Sequence, residues 1–416
     1  MGDEIARRLG AVWRIEGARV IATLAAMTRD VSLAEDCAQE ACAEALRSWA
    51  RDGVPENPGA WLTAVAKRRA IDAWRRRDAL DERYAGIARD LREESSDGVE
   101  PIGDAVLRLL FIACHPVLST EAQCALALKL VGGLSSEQVA RLFVVPVPTM
   151  QQRIVRAKRS LSAAGVPFES PDPSEWKERL EGVLRVVYLV FTEGYAATDG
   201  EQWVRRELAE EGVRLGRRLC AMLPREPEAH GLLALMELQS SRFAARIAAD
   251  GSPVLLEDQD RSRWDRSAIR RGREALRRAD AQGRGRGPYT LQAAIAEQHA
   301  VASSVDTTDW STIVVLYDVL GRVAPSPVVD LNRAVAVAMA DSPDAALRIV
   351  DELVASNALP ASYLIPSVRG ELLARLGRND EARVELTRAA ELVGNAAQRG
   401  VLERKARALD TWHPNR

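Results

Sequence analysis

The sequence is short of aromatic side chains, of histidine and of excess charge. Aromatics make up 5% of its 416 residues, histidines number four, and the formal charge is −2. A chain so nearly neutral carries no overall nucleic-acid signature, so any basic surface has to be local. The five cysteines, Cys37, Cys42, Cys114, Cys124 and Cys220, contain no C-x-x-C pair, and an odd number cannot all pair within one chain. Reduced thiols are expected. No run of 18 apolar residues occurs, and Asp3, Glu4, Arg7, Arg8, Glu16 and Arg19 interrupt any signal-peptide core. A cytoplasmic protein without a membrane segment follows as the expectation. What is present is 47% hydrophobic and 28% charged residues, which excludes disordered and collagen-like chains. The apolar supply is mainly Ala, Leu and Val, with Gly and Pro between periodic runs and no strand-like alternation of any length. That pattern predicts an all-α protein of two to three domains.

Punctuation and charge divide the chain. Residues 1–77 read as helices ending in a basic run. Residues 78–100 hold eight acids against Arg83, Arg89 and Arg92, which reads as an acidic linker. A second helical block, 101–165, is followed by Pro167, Pro171 and Pro173, a domain boundary. From 174 to 416 the chain is helix after helix. There, AVAVAMADSPDAALRIVDELV and GELLARLGRNDEARVELTRAAELV superpose at an offset of 36, pairing Ala338 with Ala374 and Ala346 with Ala382. Small residues at those places let antiparallel helices approach closely, and the offset lies near the roughly 34-residue period of a helix-turn-helix repeat. An α-solenoid is the expectation for this part.

Three stretches carry chemistry. In LSSEQVARLFVVPVPTMQQRIVRAKRSL (134–161), Ser135 and Gln138 make a capping box, VVPVP stops a short helix, and a second helix starts near Thr149. Met150, Ile154, Ala157 and Leu161 form its inner stripe. Thr149, Gln151, Gln152, Arg153, Arg156, Lys158 and Arg159 are left outside it, a helix-turn-helix whose second helix can enter a major groove. The alternative is an ordinary amphipathic hairpin with a solvated face. In NPGAWLTAVAKRRAIDAWRRRDA (57–79), Pro58 starts a helix with Leu62, Ala66, Ala70 and Ala73 as its stripe. Lys67, Arg68, Arg69, Arg75, Arg76 and Arg77 stand against Asp72 and, after the basic run, Asp78. With Trp61 and Trp74 as stacking faces, this suits unstacked bases; both tryptophans as core anchors is the alternative. In DVSLAEDCAQEACAEALRSW (30–49), Ser32 and Glu35 form a capping box. Leu33, Cys37, Ala41, Ala45 and Trp49 face inward, with Asp36, Gln39, Glu40, Glu44 and Arg47 outward. That acidic face reads as a docking surface for a basic partner, or as a solvated exterior.

In this order, AEDCAQEACAEAL, PGAWLTAVAKRRAIDAWRRR and LSSEQVARLFVVPVPTMQQRIVRAK resemble a bacterial sigma factor of the sigma-70 type, extracytoplasmic-function subfamily, over residues of about 10 to 163. VLRVVYLVFTEGY, GPYTLQAAIAEQHA and SPVVDLNRAVAVA resemble the long helical-repeat, TPR-like extension of one branch of it. The resemblance implies two small helical sigma domains joined by the acidic linker, with a regulatory repeat domain behind them. It places core RNA polymerase docking on Asp36, Gln39 and Glu40, and −10 element capture and melting on Trp61, Lys67, Arg68, Arg75 and Arg76. It places −35 reading on Thr149, Gln151, Gln152, Arg153, Arg156, Lys158 and Arg159. Core RNA polymerase and promoter DNA are the implied partners, with an intramolecular contact between the C-terminal domain and the sigma domains. Gln151 and Gln152 make the recognition helix less basic than the family usually has.

No motif asks for a cofactor or a catalytic residue. Cys114 and His115 are adjacent rather than spaced for zinc, and Gly283 to Gly287 lack phosphate-loop spacing. No metal and no enzymatic activity are expected. The rival reading is a helix-turn-helix regulator with a repeat-type sensor acting without polymerase docking; it leaves the basic helix and the acidic face without a role.

Overall fold

The computed structural model describes residues 2–78, 102–143, 145–195, 206–248, 253–360 and 362–410. The acidic linker expected at 78–100 lies, from residue 79 on, outside the described residues. Helices account for nearly all the regular structure. Among the described residues, extended pairing is limited to one isolated bridge between Ile247 and Pro253. The chain forms two compact units, residues 1–189 and 190–416.

In the first unit, α1 (Gly2–Thr28), α2 (Val31–Asp52) and α3 (Pro58–Asp78) pack on one another. Ala34, Ala38, Ala41 and Ala45 of α2 are completely buried, and such small side chains let neighbouring helices sit close. α1 also packs on α4 (Ile102–Ala113) and on a π-helical turn, Ala127–Val131, that continues α5 (Thr120–Leu126). Gly133 follows this turn at φ 72°, and a Cβ there would meet the Trp13 carbonyl oxygen at 3.4 Å, so a side chain would be both strained and crowded. Residues on both sides of the acidic stretch therefore share one compact unit.

α6 (Ser136–Phe143) and α7 (Val147–Ala163) complete the helix-turn-helix. The capping box before α6 is reciprocal: the Ser135 N–H donates to Gln138 Oε1 at 2.8 Å and the Gln138 N–H donates to Ser135 Oγ at 3.2 Å. α7 buries Met150, Ile154, Ala157 and Leu161, the stripe that the spacing specifies. It begins at Val147, two residues earlier than expected, because Pro148 in its first turn needs no intrahelical acceptor.

α8 (Trp176–Tyr195) contains the division between the units. The second unit continues with α9 (Arg206–Met222), α10 (Pro227–Ser240), α11 (Arg266–Asp280), α12 (Pro288–Val301), α13 (Trp310–Val323), α14 (Pro327–Ala340), α15 (Pro343–Ala355), α16 (Leu364–Arg375), α17 (Asn379–Leu392) and α18 (Ala396–Asp410). Most of these helices pack on a neighbour in sequence, but α12 packs chiefly on α10, two helices back. The repeat found by superposition corresponds to the hairpins α14–α15 and α16–α17. Ala346 and Ala382 are fully buried in one shared core with Leu331, Leu347, Leu372 and Leu373. A Cβ at Gly370 would lie 2.8 Å from Leu386 Cγ, so α16 and α17 meet at a distance only a small residue permits. None of the five cysteines is in a disulfide; burial pushes the Cys42 and Cys220 thiols up to about 12, which leaves them protonated. Among the described residues, no helix is long and apolar enough to cross a membrane.

Candidate nucleic-acid and partner interfaces

On α7, Thr149, Gln151, Gln152, Arg156 and Arg159 are exposed and Arg153 is half-buried. Among the described residues, no carboxylate is within ion-pair distance of these three arginines. Their guanidinium groups are available to phosphates and base edges, while the Met150–Leu161 stripe holds the helix to the body below. Lys158 is placed differently. Its Nζ donates to Glu35 Oε2 of α2 at 2.8 Å, and only 15% of its side chain is exposed.

α3 starts under a side-chain cap, the Ala60 N–H donating to Asn57 Oδ1 at 3.0 Å. Leu62, Ala66 and Ala70 are completely buried. Lys67 and Arg68 are exposed, with no carboxylate within ion-pair distance among the described residues. Arg75 is exposed within 3.8 Å of Asp72. Arg69 turns toward α2 instead, donating to Glu44 Oε2 at 2.5 Å and approaching Glu40 Oε2 at 3.8 Å. Trp61 is half-buried against Trp49, with centroids 5.6 Å apart and ring planes at 62°, and Trp74 is half-buried too. Both tryptophans thus spend part of their surface on packing. The side chains of Arg76 and Arg77 lie outside the described ones.

Asp36, Gln39 and Glu40 are exposed on the outer side of α2. Burial raises the Asp36 carboxyl; the nearby Lys158 ammonium opposes this without reversing it. Gln39 also lines a groove of about 610 Å³ with Leu9, Trp13, Leu46 and Leu134. The N-terminus of α2 departs from expectation. Its cap is Asp30, whose Oδ1 accepts from the Ser32 and Leu33 N–H groups at 2.8 and 3.1 Å. Ser32 and Glu35 form no capping box, because Glu35 is turned inward.

Glu35 is the residue that sequence reasoning missed. Only 5% of its side chain is exposed, and it is held by Lys129 Nζ at 3.0 Å and Lys158 Nζ at 2.8 Å. Burial alone would raise this carboxyl. The two ammonium groups outweigh it and hold Glu35 below the ordinary carboxylate range. One carboxylate from α2 thereby clasps the π-helical turn and the recognition helix of the helix-turn-helix. A signal existed in the sequence: Lys129 is the one charged residue in the apolar run 122–134, and a buried cation requires a buried acid.

Among the described residues, no group of three or more His, Cys, Asp or Glu side chains is disposed to hold a metal ion. Family models match three segments in order: sigma-70 region 2 over residues 13–80, sigma-70 region 4 over residues 108–161, and a family of unknown function (DUF6596) over residues 179–280. The chain is 45% identical over 384 residues to the uncharacterized protein R00370 of Rhizobium meliloti (strain 1021), covering 89% of this chain and 88% of that one. It is 30% identical over 148 residues to the ECF RNA polymerase sigma factor SigK of Mycobacterium ulcerans (strain Agy99), covering 34% of this chain and 78% of that one. No solved structure matches it significantly. A three-helix body with a basic helix, joined to a helix-turn-helix, is thus the sigma-70 type of transcription protein. The chain belongs to the sigma-70 family and carries a helical C-terminal extension.

Proposed function

We propose that this protein is a cytoplasmic sigma factor of the extracytoplasmic-function kind, one that binds core RNA polymerase and directs promoter-specific initiation. Asp36, Gln39 and Glu40 dock on the polymerase. α7 reads the −35 element as duplex through Thr149, Gln151, Gln152, Arg153, Arg156 and Arg159. α3 captures unstacked bases of the −10 element through Lys67, Arg68, Arg75 and Arg76, with Trp61 beside them. The observation that carries this reading is the ordered pair of matches, region 2 over 13–80 and region 4 over 108–161, on one chain whose basic helices expose cations in both.

Duplex opening costs stacking energy, and a protein that binds only the parted strand shifts that equilibrium by its differential affinity. No catalytic group is required of the sigma factor, since the polymerase performs nucleotide addition. Lys158 joins the DNA-facing set once it leaves Glu35, so promoter engagement opens the clasp between α2 and α7. The TPR-like C-terminal unit acts as a fused regulator.

The test is a pair of binding measurements on the full-length protein. Charge reversal at Asp36 and Glu40 abolishes association with core polymerase and leaves binding to −35 duplex intact. Arg153→Ala together with Arg156→Ala does the opposite, and each lost phosphate contact lowers the salt slope by about one unit. Equal loss of both properties in each variant contradicts the assignment.

A further inference from the structure

The second unit contains a cluster of buried and half-buried guanidinium groups, two of which, Arg242 and Arg261, have no carboxylate within ion-pair distance among the described residues. Arg261 is 6% exposed, and its guanidinium donates only to neutral acceptors: the His299 and Ala302 carbonyl oxygens at 2.9 and 3.0 Å, and Thr308 Oγ1 at 3.1 Å. Arg242 donates to the Tyr195 hydroxyl, and its Nε–H is buried without an acceptor. Both guanidinium groups lie within 6 Å of the Trp264 ring, at 5.9 Å for Arg242 and 5.2 Å for Arg261. A third, that of Arg246, sits 3.7 Å over the Tyr195 ring and is 7% exposed.

Among the described residues, no carboxylate comes within ion-pair distance of Arg242 or Arg261. The same unit handles its other buried charge in the ordinary way: Glu237, 3% exposed at its side chain, takes Arg217 at 2.5 Å and Arg271 at 2.9 Å. Burying a guanidinium unpaired costs several kcal/mol. Arg242 lies within electrostatic range of both Arg246 and Arg261, which raises that cost.

Orphaned polar atoms gather at the same place. Trp264 is 3% exposed and its indole Nε1–H has no acceptor, and His299 Nδ1, buried beside the Trp310 ring, has no partner either. Native structures leave few buried polar groups unsatisfied, and an absent ion or ligand is one standing cause. Desolvation, with Arg242 and Arg261 nearby, pushes His299 down to about 4, so the ring is neutral at physiological pH and one of its nitrogens carries a proton to donate.

We propose that Arg242, Arg261, Trp264 and His299 form an oxyanion-binding site, which takes the phosphate or carboxylate group of a small ligand. Planar guanidinium forks match the geometry of both groups, and an indole N–H supplies a further donor that an anion accepts. The inference is independent of polymerase docking and promoter binding. It gives the C-terminal unit a ligand chemistry of its own.

Calorimetric titration of the full-length protein with inorganic phosphate tests it, with acetate as a second arm and sodium chloride holding ionic strength constant. Saturable binding of either anion is expected, the arm that binds identifying the group taken. Arg242→Gln weakens it at least tenfold. Trp264→Phe keeps the aromatic packing, removes one donor and weakens it several-fold, and Arg286→Gln, at an exposed pair with Asp280, leaves it unchanged. Far-UV circular dichroism establishes that each variant is folded; should Arg242→Gln fail to fold, Trp264→Phe decides. Three results overturn the site: no saturable heat with either anion, binding that all variants retain, or a tyrosinate absorbance band at neutral pH that Tyr195→Phe removes. The last would mean that the arginines are neutralised from within the chain.

Discussion

Glu35 is a buried carboxylate held by two lysines from other elements of the first unit. Replacing it with Gln takes from Lys129 and Lys158 the carboxylate that both contact directly, and removing one partner of a buried ion pair costs about 3–5 kcal/mol. The urea transition of this unit should fall accordingly. Because the native Glu35 carboxyl titrates below its unfolded value, its contribution is complete above the ordinary carboxylate range and disappears as pH falls through the native value. The stability difference between wild type and Glu35→Gln is therefore expected to shrink on acidification; a gap that widens would contradict the clasp. At this scale the sequence was informative where a residue's role follows from its own turn of helix, as for Ser135 and Gln138. It misled where the role depends on a partner far along the chain. Glu35 occupies the position a capping box would use, and its true partners are 94 and 123 residues away.

Helices and their inner stripes were legible because burial follows a fixed spacing. Met150, Ile154, Ala157 and Leu161 are buried on α7, and Leu62, Ala66 and Ala70 on α3. Ends were less legible: α2 begins under Asp30 rather than Ser32, since an Asp side chain reaches two orphan N–H groups there. Asp30→Ala should cost about 1 kcal/mol in thermal unfolding, whereas Ser32→Ala should cost little. The reverse order would show that the cap is misassigned. Between helices, the contact of α16 with α17 depends on Gly370 and Ala382, both pressed against the facing helix. Ala382→Leu overfills a fully buried position, with an expected loss of about 1–3 kcal/mol. A neutral effect in a chemical denaturation series would mean the hairpin is looser than described. The outward faces of α3 and α7 could be drawn from sequence as basic surfaces. Which of their cations are free could not, because Arg69 and Lys158 are drawn off by acids on α2.

For the whole molecule, the all-α class and the helical C-terminal extension followed from composition and periodicity. The sharing of one compact unit by residues on both sides of the acidic stretch did not. It depends on tertiary contacts, among them α1 with α4 and Glu35 with its two lysines, that no local pattern encodes. The oxyanion cluster was equally hidden, since Tyr195, Arg242, Arg261 and His299 lie far apart along the chain and no motif joins them. The function proposed for the first unit divides labour between a helix for paired DNA and a helix for parted strands on a protein that meets the polymerase. Run-off transcription with purified core polymerase and the full-length protein, on templates selected for binding to it, tests that claim most directly. The account predicts a discrete transcript that depends on this protein and is lost on charge reversal at Asp36 and Glu40. Binding to the selected templates with no promoter-specific transcript would contradict it.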